Sequence, residues 1–156
     1  MYAPVAAVFA LLATGALAQD PDDTFNDKCK YLNMLGQGKK GQTAITAWCL
    51  DDAGKRWQTT LNLNQCLGNN AGKLVWQDNG NFDQTCGPCL IDKLADGPPR
   101  NTALKCNCLP SPNGVPKYTY ISMSPNVELD GNALAVNVVD GRFVCGPHQG
   151  TKEPRA

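Results

Sequence analysis

Apolar and polar residues alternate with period two through six short stretches of this chain, at 43–48, 57–63, 73–76, 102–107, 117–123 and 141–145. These stretches draw on Thr, Val, Ile, Tyr and Trp, which suit a pleated, half-buried surface, so the pattern predicts strands. Turn chemistry separates them at Asp52-Ala53-Gly54, Asn70-Ala71-Gly72, Asn79-Gly80, Pro112-Asn113-Gly114 and Asp140-Gly141. Pro98-Pro99-Arg100 and Ser111-Pro112-Asn113 read as loops with trans prolines. Helical periodicity is scarce, and short strands broken by turns make an all-β domain. Alternation also selects a core face, with Ile45, Ala47 and Cys49 on one strand and Leu104, Cys106 and Cys108 on another. Leu61, Leu63, Leu74, Trp76, Phe82 and Phe143 complete the expected core.

The pattern comes in two copies. The run from Phe25, FNDKC…TAITAWC, returns from Phe82 as FDQTC…TALKCNC. In each copy an aromatic residue precedes a cysteine by four positions, and a Thr-Ala-aliphatic strand then ends in a second cysteine, Cys49 or Cys108. Two copies of one unit predict a pseudo-symmetric single domain rather than a solenoid. Such a domain places similar surfaces at its two ends.

Composition narrows the setting. Residues Ala6 to Ala18 are almost wholly apolar and end in Ala16-Leu17-Ala18, an A-x-A cleavage pattern followed by Asp20, Asp22 and Asp23. This predicts a signal peptide at 1–18 and a secreted, extracellular protein. The apolar run is shorter than the roughly 20 residues a membrane span needs. Residues 19–24 then read as a linker and 25–145 as the domain, with repeats at about 25–81 and 82–145. Residues 146–156, polar and rich in Pro and Gly, read as a frayed, flexible tail. Eight cysteines beyond the cleavage site fit an oxidising destination. A formal charge of zero and the lack of a basic stripe argue against nucleic acid or an anionic membrane as partner. No Asn-x-Ser/Thr sequon occurs, so no N-glycan is expected.

The stretch LNLNQCLGNNAGKLVW, Leu61 to Trp76, followed by NFDQTC, Asn81 to Cys86, resembles a cyanovirin-N homology domain of the kind found in filamentous fungi. A looser second unit follows in Val127 to Asp130 and Asn137 to Phe143, so the resemblance covers about Phe25 to Cys145. It implies a bilobal β fold with a three-stranded antiparallel sheet and a hairpin in each lobe, and some strand exchange between repeats. It also implies a lectin, typically for α(1→2)-linked mannose on oligosaccharides or glycoproteins, without catalysis, metal or cofactor. A monomer or a domain-swapped dimer would fit. The rival expectation is a secreted effector or structural protein that keeps the scaffold for protein interaction and binds no sugar.

A mannoside is a ring of vicinal hydroxyls, so its site needs several short polar groups on rigid turns, each net hydrogen bond contributing about 1 kcal/mol. Matched by position, the resemblance puts Gly68, Asn69 and Asn70 on one wall. Asn81, Gln84 and Thr85 come from the segment before Cys86, and Pro110, Ser111 and Asn113 from the loop after Cys108. Gly68 stands where the family is often acidic and Pro110 where a Thr hydroxyl is seen, and both changes shorten polar reach. The opposite pocket would draw on Thr24, Asp27, Lys28, Asp51 and Asp52 near Asn137. It carries more charge, matches poorly, and is not expected to bind. Read without the resemblance, Asn-rich turns need mean no more than tolerance of left-handed backbone.

The repeat pairs Cys29 with Cys49 and Cys86 with Cys108, each closing a loop of about twenty residues at about 3 kcal/mol of loop-closure entropy. Joining Cys89 to Cys106 leaves Cys66 for Cys145, while Cys66–Cys89 with Cys106–Cys145 stays open. Cys86-Gly-Pro-Cys89 spells the thioredoxin redox motif, but that chemistry needs a thiolate at a helix N-terminus and strands flank this one. Zinc on the CxxC and CxC pairs fits poorly with an oxidised chain. His148 is the only histidine and falls in the expected tail, against a Ser/His/Asp or Cys/His arrangement. Asp51, Asp52, Asp78 and Asp83 could supply paired carboxylates for glycoside hydrolysis, but they fall in turns, where Asp is common anyway.

Overall fold

The computed structural model describes residues 28–93, 102–123 and 135–154. Thr24, Asp27, the unit at 127–130 and the first-copy aromatic Phe25 lie outside them. Eleven strands follow in order: β1 Cys29–Leu35, β2 Ala44–Leu50, β3 Arg56–Asn62, β4 Leu67–Asn70, β5 Lys73–Trp76, β6 Cys86–Lys93, β7 Thr102–Cys108, β8 Lys117–Ser122, β9 Asn137–Val139, β10 Arg142–Cys145 and β11 His148–Gln149. Single 3₁₀ turns lie at Leu63–Gln65 and Phe82–Gln84. The fold is all-β, antiparallel and bilobal, with sheets β1-β2-β3 and β6-β7-β8 and hairpins β4-β5 and β9-β10, the second extended by β11.

Each hairpin docks on the other repeat's sheet, and the same bond holds both. In the first lobe the buried Thr59 hydroxyl of β3 accepts from the Phe143 N–H of β10 at 2.9 Å. In the second, the Thr119 hydroxyl of β8 accepts from the Leu74 N–H of β5 at 3.2 Å. A hydroxyl in that place satisfies a hairpin N–H that the sheet interface would otherwise bury unpaired. The hairpins turn tightly because their two-residue loops, Ala71-Gly72 and Asp140-Gly141, hold φ of 50° and 88° and of 45° and 74°.

One core runs through both lobes. Ile45, Ala47, Leu61, Leu63, Leu74, Phe82, Leu104 and Phe143 are buried in it with the cystines, and Leu67, Met123 and Val136 join them. Trp76 packs on its margin, half-buried.

The disulfides are Cys29–Cys49, Cys66–Cys145, Cys86–Cys108 and Cys89–Cys106. Cys86 and Cys89 are three apart and their partners two apart, yet both pairs sit directly opposite across β6 and β7. A bulge between Cys86 and Cys89 absorbs the extra residue. The CGPC motif is therefore part of a bulged strand rather than a stretch between strands, with each sulfur bonded across the sheet. The Gly87–Pro88 peptide is cis. An equivalent bulge interrupts β1 between Lys30 and Asn33, where Tyr31 takes φ 59°.

Residues 150–153, expected to fray, pair with the first lobe. Gly150 N–H donates to Phe143 O at 2.8 Å, Thr151 N–H to Thr60 O at 2.9 Å, and Gln58 and Glu153 exchange backbone bonds of 2.9 and 2.8 Å. The segment's Pro- and Gly-rich composition signals little side-chain burial but does not prevent backbone pairing. His148 lies on β11, its Nε2 2.5 Å from Asp78 Oδ1.

Candidate functional site

Three chain segments meet at the free end of the second lobe, and Asn69 laces them. Its Oδ1 accepts from Gly72 N–H at 2.8 Å, closing the β4–β5 turn. Its Nδ2 donates to the Thr85 hydroxyl at 2.7 Å and to the Leu109 carbonyl at 2.8 Å. Leu109 N–H in turn donates to Thr85 O at 2.9 Å. The hairpin turn, the segment before Cys86 and the loop after Cys108 are thus fixed relative to one another before any ligand arrives.

Gly68 and Asn81 form an isolated backbone bridge behind that cluster. Asn81 adopts left-handed backbone, φ 50° and ψ 43°, and its Nδ2 donates to Asn79 O at 2.8 Å. Gly72 lies so close to Pro110 that an added Cβ would stand 3.2 Å from the proline Cβ and 3.3 Å from Lys117 Cδ. The turn beyond Pro110 closes through Gly114 N–H to Ser111 O at 3.0 Å.

The sequence-derived residues therefore divide into two groups. Gly68, Asn69, Asn81, Thr85 and Pro110 belong to the platform: Gly68 bridges Asn81, Asn69 bonds Thr85, and Pro110 packs against Gly72. Asn70, Gln84, Ser111 and Asn113 are exposed, and their side chains make no hydrogen bond among the described residues. These four are the groups with donors and acceptors to offer. Sequence reasoning missed Leu109, whose carbonyl acts irrespective of side chain, and Gly80. An added Cβ on Gly80 would lie 2.5 Å from Leu67 O. Gly80 was legible only as a turn signal.

The opposite end is organised differently. Asp51 Oδ1 accepts from the N–H groups of Ala53 and Lys55 at 3.0 and 2.7 Å, and Oδ2 from Trp57 Nε1 at 2.7 Å. The Trp57 indole N–H leads in holding its carboxyl below the ordinary range. Asp52 N–H reaches Asp140 Oδ1 at 3.3 Å, and Lys152 Nζ lies 2.7 Å from Asp140 Oδ2, the chief cause of a lowered Asp140 pKa. Asn137 Nδ2 contacts Ala135 O at 3.5 Å. Lys28 is half-buried, immediately before β1.

A cavity of about 380 Å³ lies elsewhere, between the β1–β2 loop and the β6 bulge, with Gln37, Thr43 and Asp83 in its lining. Its inner groups are committed: Asp83 accepts from Gly41 N–H at 2.7 Å, Thr43 N–H at 3.0 Å and Asn64 Nδ2 at 2.8 Å. Gln37 Oε1 accepts from Cys89 N–H at 3.3 Å.

The chemistry these groups can perform is limited. A general acid on a glycoside needs a raised carboxyl pKa, and those of Asp51 and Asp83 are lowered. Asp78 is engaged by His148. Among the described residues no group of three or more His, Cys, Asp or Glu is placed to hold a metal.

Comparison with known proteins agrees with this architecture. The family model of the CVNH domain matches residues 25–132. A designed cyanovirin-N homolog lectin superposes with a TM-score of 0.61 at 19% identity, covering 79% of this chain and 99% of its own. Microvirin, solved as a mannobiose complex, gives 0.57 at 26% identity, covering 79% of this chain and 98% of its own. The T. borchii CVNH protein gives 0.58 at 20% identity, covering 79% and 99%. No curated protein matches the sequence.

Proposed function

The chain belongs to the CVNH domain family, and from that premise we propose that it is a secreted, non-catalytic carbohydrate-binding protein for mannose-type oligosaccharides, with its site at the free end of the second lobe. The observation that carries the reading is the division of labour there. Asn69 fixes three segments with its own hydrogen bonds, leaving the amides of Asn70, Gln84 and Asn113 and the Ser111 hydroxyl open to solvent. A rigid platform bearing unspent amides and a hydroxyl suits a ring of vicinal hydroxyls, because little ordering entropy is lost on binding. The likeness to microvirin, solved with mannobiose, supports mannose as the sugar. Four disulfides support an extracellular destination.

A glycan array of the oxidised protein tests this, followed by titration of Gln84→Ala/Asn113→Ala with α(1→2)-mannobiose. Two lost hydrogen bonds amount to about 2 kcal/mol, roughly a 30-fold weaker complex. The thermal midpoint should not move, because both side chains are exposed and unbonded. Binding of another sugar class would replace mannose and keep the site. A folded protein that binds no glycan would instead favour a scaffold used for protein interaction.

A further inference from the structure

The two ends of the molecule share a frame, with a hairpin-turn glycine packed on the loop after each copy's second cysteine. Gly72 packs on Pro110 and Lys117, and Gly141 packs on Asp51 and Trp57, with an added Cβ 3.1 Å from the Trp57 ring. Asp51 and Pro110 each stand two residues beyond the second cysteine of their copy. The first-lobe counterpart of the candidate site is therefore the surface around Asp51, Asp52 and Asp140.

The chain itself covers the Trp57 side of that surface, while Asp52 and Asp140 stay exposed. The segment after β11 runs along β3, pairing through Thr151 and Glu153, and Thr60 N–H also reaches the Thr151 hydroxyl at 3.2 Å. This pairing lays Lys152 over Trp57, its Nζ 4.9 Å from the ring centroid, with Lys55 Nζ at 4.2 Å from the same ring. Lys152 also pairs with Asp140, and only 16% of its side chain remains exposed. A lysine buried this far against an indole and a carboxylate acts as a cap, because its stem covers apolar surface while its ammonium satisfies the acid. The Asp51 carboxylate is spent on Trp57 and its own turn. Of the acids on this surface, Asp51 and Asp140 are already engaged and Asp52 is not, whereas Gln84, Ser111 and Asn113 in the second lobe all keep unbonded side chains.

We propose that residues 150–154 are a strap closing the first-lobe site in cis, so that the chain presents one pyranoside site rather than two. This rests on the carbohydrate reading of the second lobe. It predicts that the wild-type protein occupies one site per chain and cannot cross-link glycans as a monomer.

The test is a titration of the ¹⁵N-labelled protein with α(1→2)-mannobiose, comparing wild type, Lys152→Ala in the full chain, and a chain ending at Gly150. In wild type, shifts should be confined to the amides of Gln84, Thr85 and Asn113. Both variants should add a second set at Asp52, Gly141 and the Trp57 indole, with stoichiometry rising from one to two. Lys152→Ala keeps the strap's backbone pairing, so it reports even if the shortened chain does not fold. A second set already present in wild type overturns the strap, as does a folded variant that still binds once. Absence of the first set in all three proteins is a different result. It overturns the carbohydrate reading, and the inference about valence falls with it.

Discussion

Replacing Asp83 by Asn removes one charge with almost no change in volume, yet it should loosen the joint between the two repeats. Asp83 opens the second copy, and its carboxylate holds the β1–β2 loop of the first through Gly41 and Thr43 while also bonding Asn64. An amide offers one oxygen where the carboxylate offers two. In the less costly orientation its oxygen keeps Thr43 and Asn64, and its NH₂ group meets the Gly41 N–H. One partly buried donor is then left unpaired, at about 1–3 kcal/mol, and two charge-assisted bonds become neutral ones. The sum is about 2–3 kcal/mol, which for a domain of this size lowers the thermal midpoint by about 10 °C.

The pH dependence separates charge from shape. Burial is the largest single influence on Asp83 and pushes its pKa up, but the bonds from Gly41, Asn64 and Thr43 together outweigh it, and the pKa lies below 3.8. A carboxyl whose folded pKa is depressed contributes stability that is fully present above the unfolded pKa. That stability is lost as pH falls through the lower, folded value. Below that value the protonated acid is close to an isostere of Asn. Calorimetric midpoints of wild type and Asp83→Asn should therefore differ at neutral pH and converge in strong acid. A gap of equal size at both pH values would show that the carboxylate's charge plays no part. No gap at neutral pH would show that the tie itself contributes nothing.

Two further changes test the frame around the site. Gly80→Ala places a Cβ 2.5 Å from Leu67 O and 2.6 Å from the Gly68 Cα, and neither backbone atom can yield, so urea unfolding should show a loss of about 3 kcal/mol or more. Gly68→Ala meets the tip of the Gln77 side chain at 2.1 Å, which can swing away, and should cost about 1 kcal/mol. Among the cystines, Cys66–Cys145 spans 79 residues and Cys89–Cys106 spans 17. Loop-closure entropy assigns the first about 4.5 kcal/mol. The second joins strands that Cys86–Cys108 already joins, leaving only a short residual loop, so Cys89→Ala/Cys106→Ala should cost roughly half as much in the same assay. Equal losses would refute the entropic account.

The fold was legible because its signals are local and repeated. Alternation marked β2, β3, β5, β7, β8 and β10, and it placed nearly the whole core, from Ile45 to Phe143. Strands β1 and β6 carry no clean alternation because each contains a bulge, which shifts the side-chain phase by one residue where Tyr31 or Gly87-Pro88 is inserted. Strand β4 was hidden by Gly68, Asn69 and Asn70, which read as a turn. Docking of each hairpin on the other repeat's sheet rests on Thr59 and Thr119, and nothing in either residue's neighbourhood says that its hydroxyl will meet a strand far along the chain.

The site was harder to read for a different reason. The donors and acceptors that bind a hydroxyl are the same ones that fasten a turn, so composition alone cannot assign a side chain to one task or the other. Asn69 was legible as a polar residue at the right place, but three hydrogen bonds within the protein make it the fastening. An Asn69→Ala protein that lost affinity could have lost its platform. Gln84 and Asn113 lack such bonds, so affinity lost with them would report on contact with the ligand. The strap shows the same principle from the other side. Lys152 lies in a segment whose composition promised nothing, and it matters because backbone pairing carries it to Trp57 and Asp140. Whether a surface is a site depends on which of its polar groups the protein has already used, and only the folded arrangement holds that information.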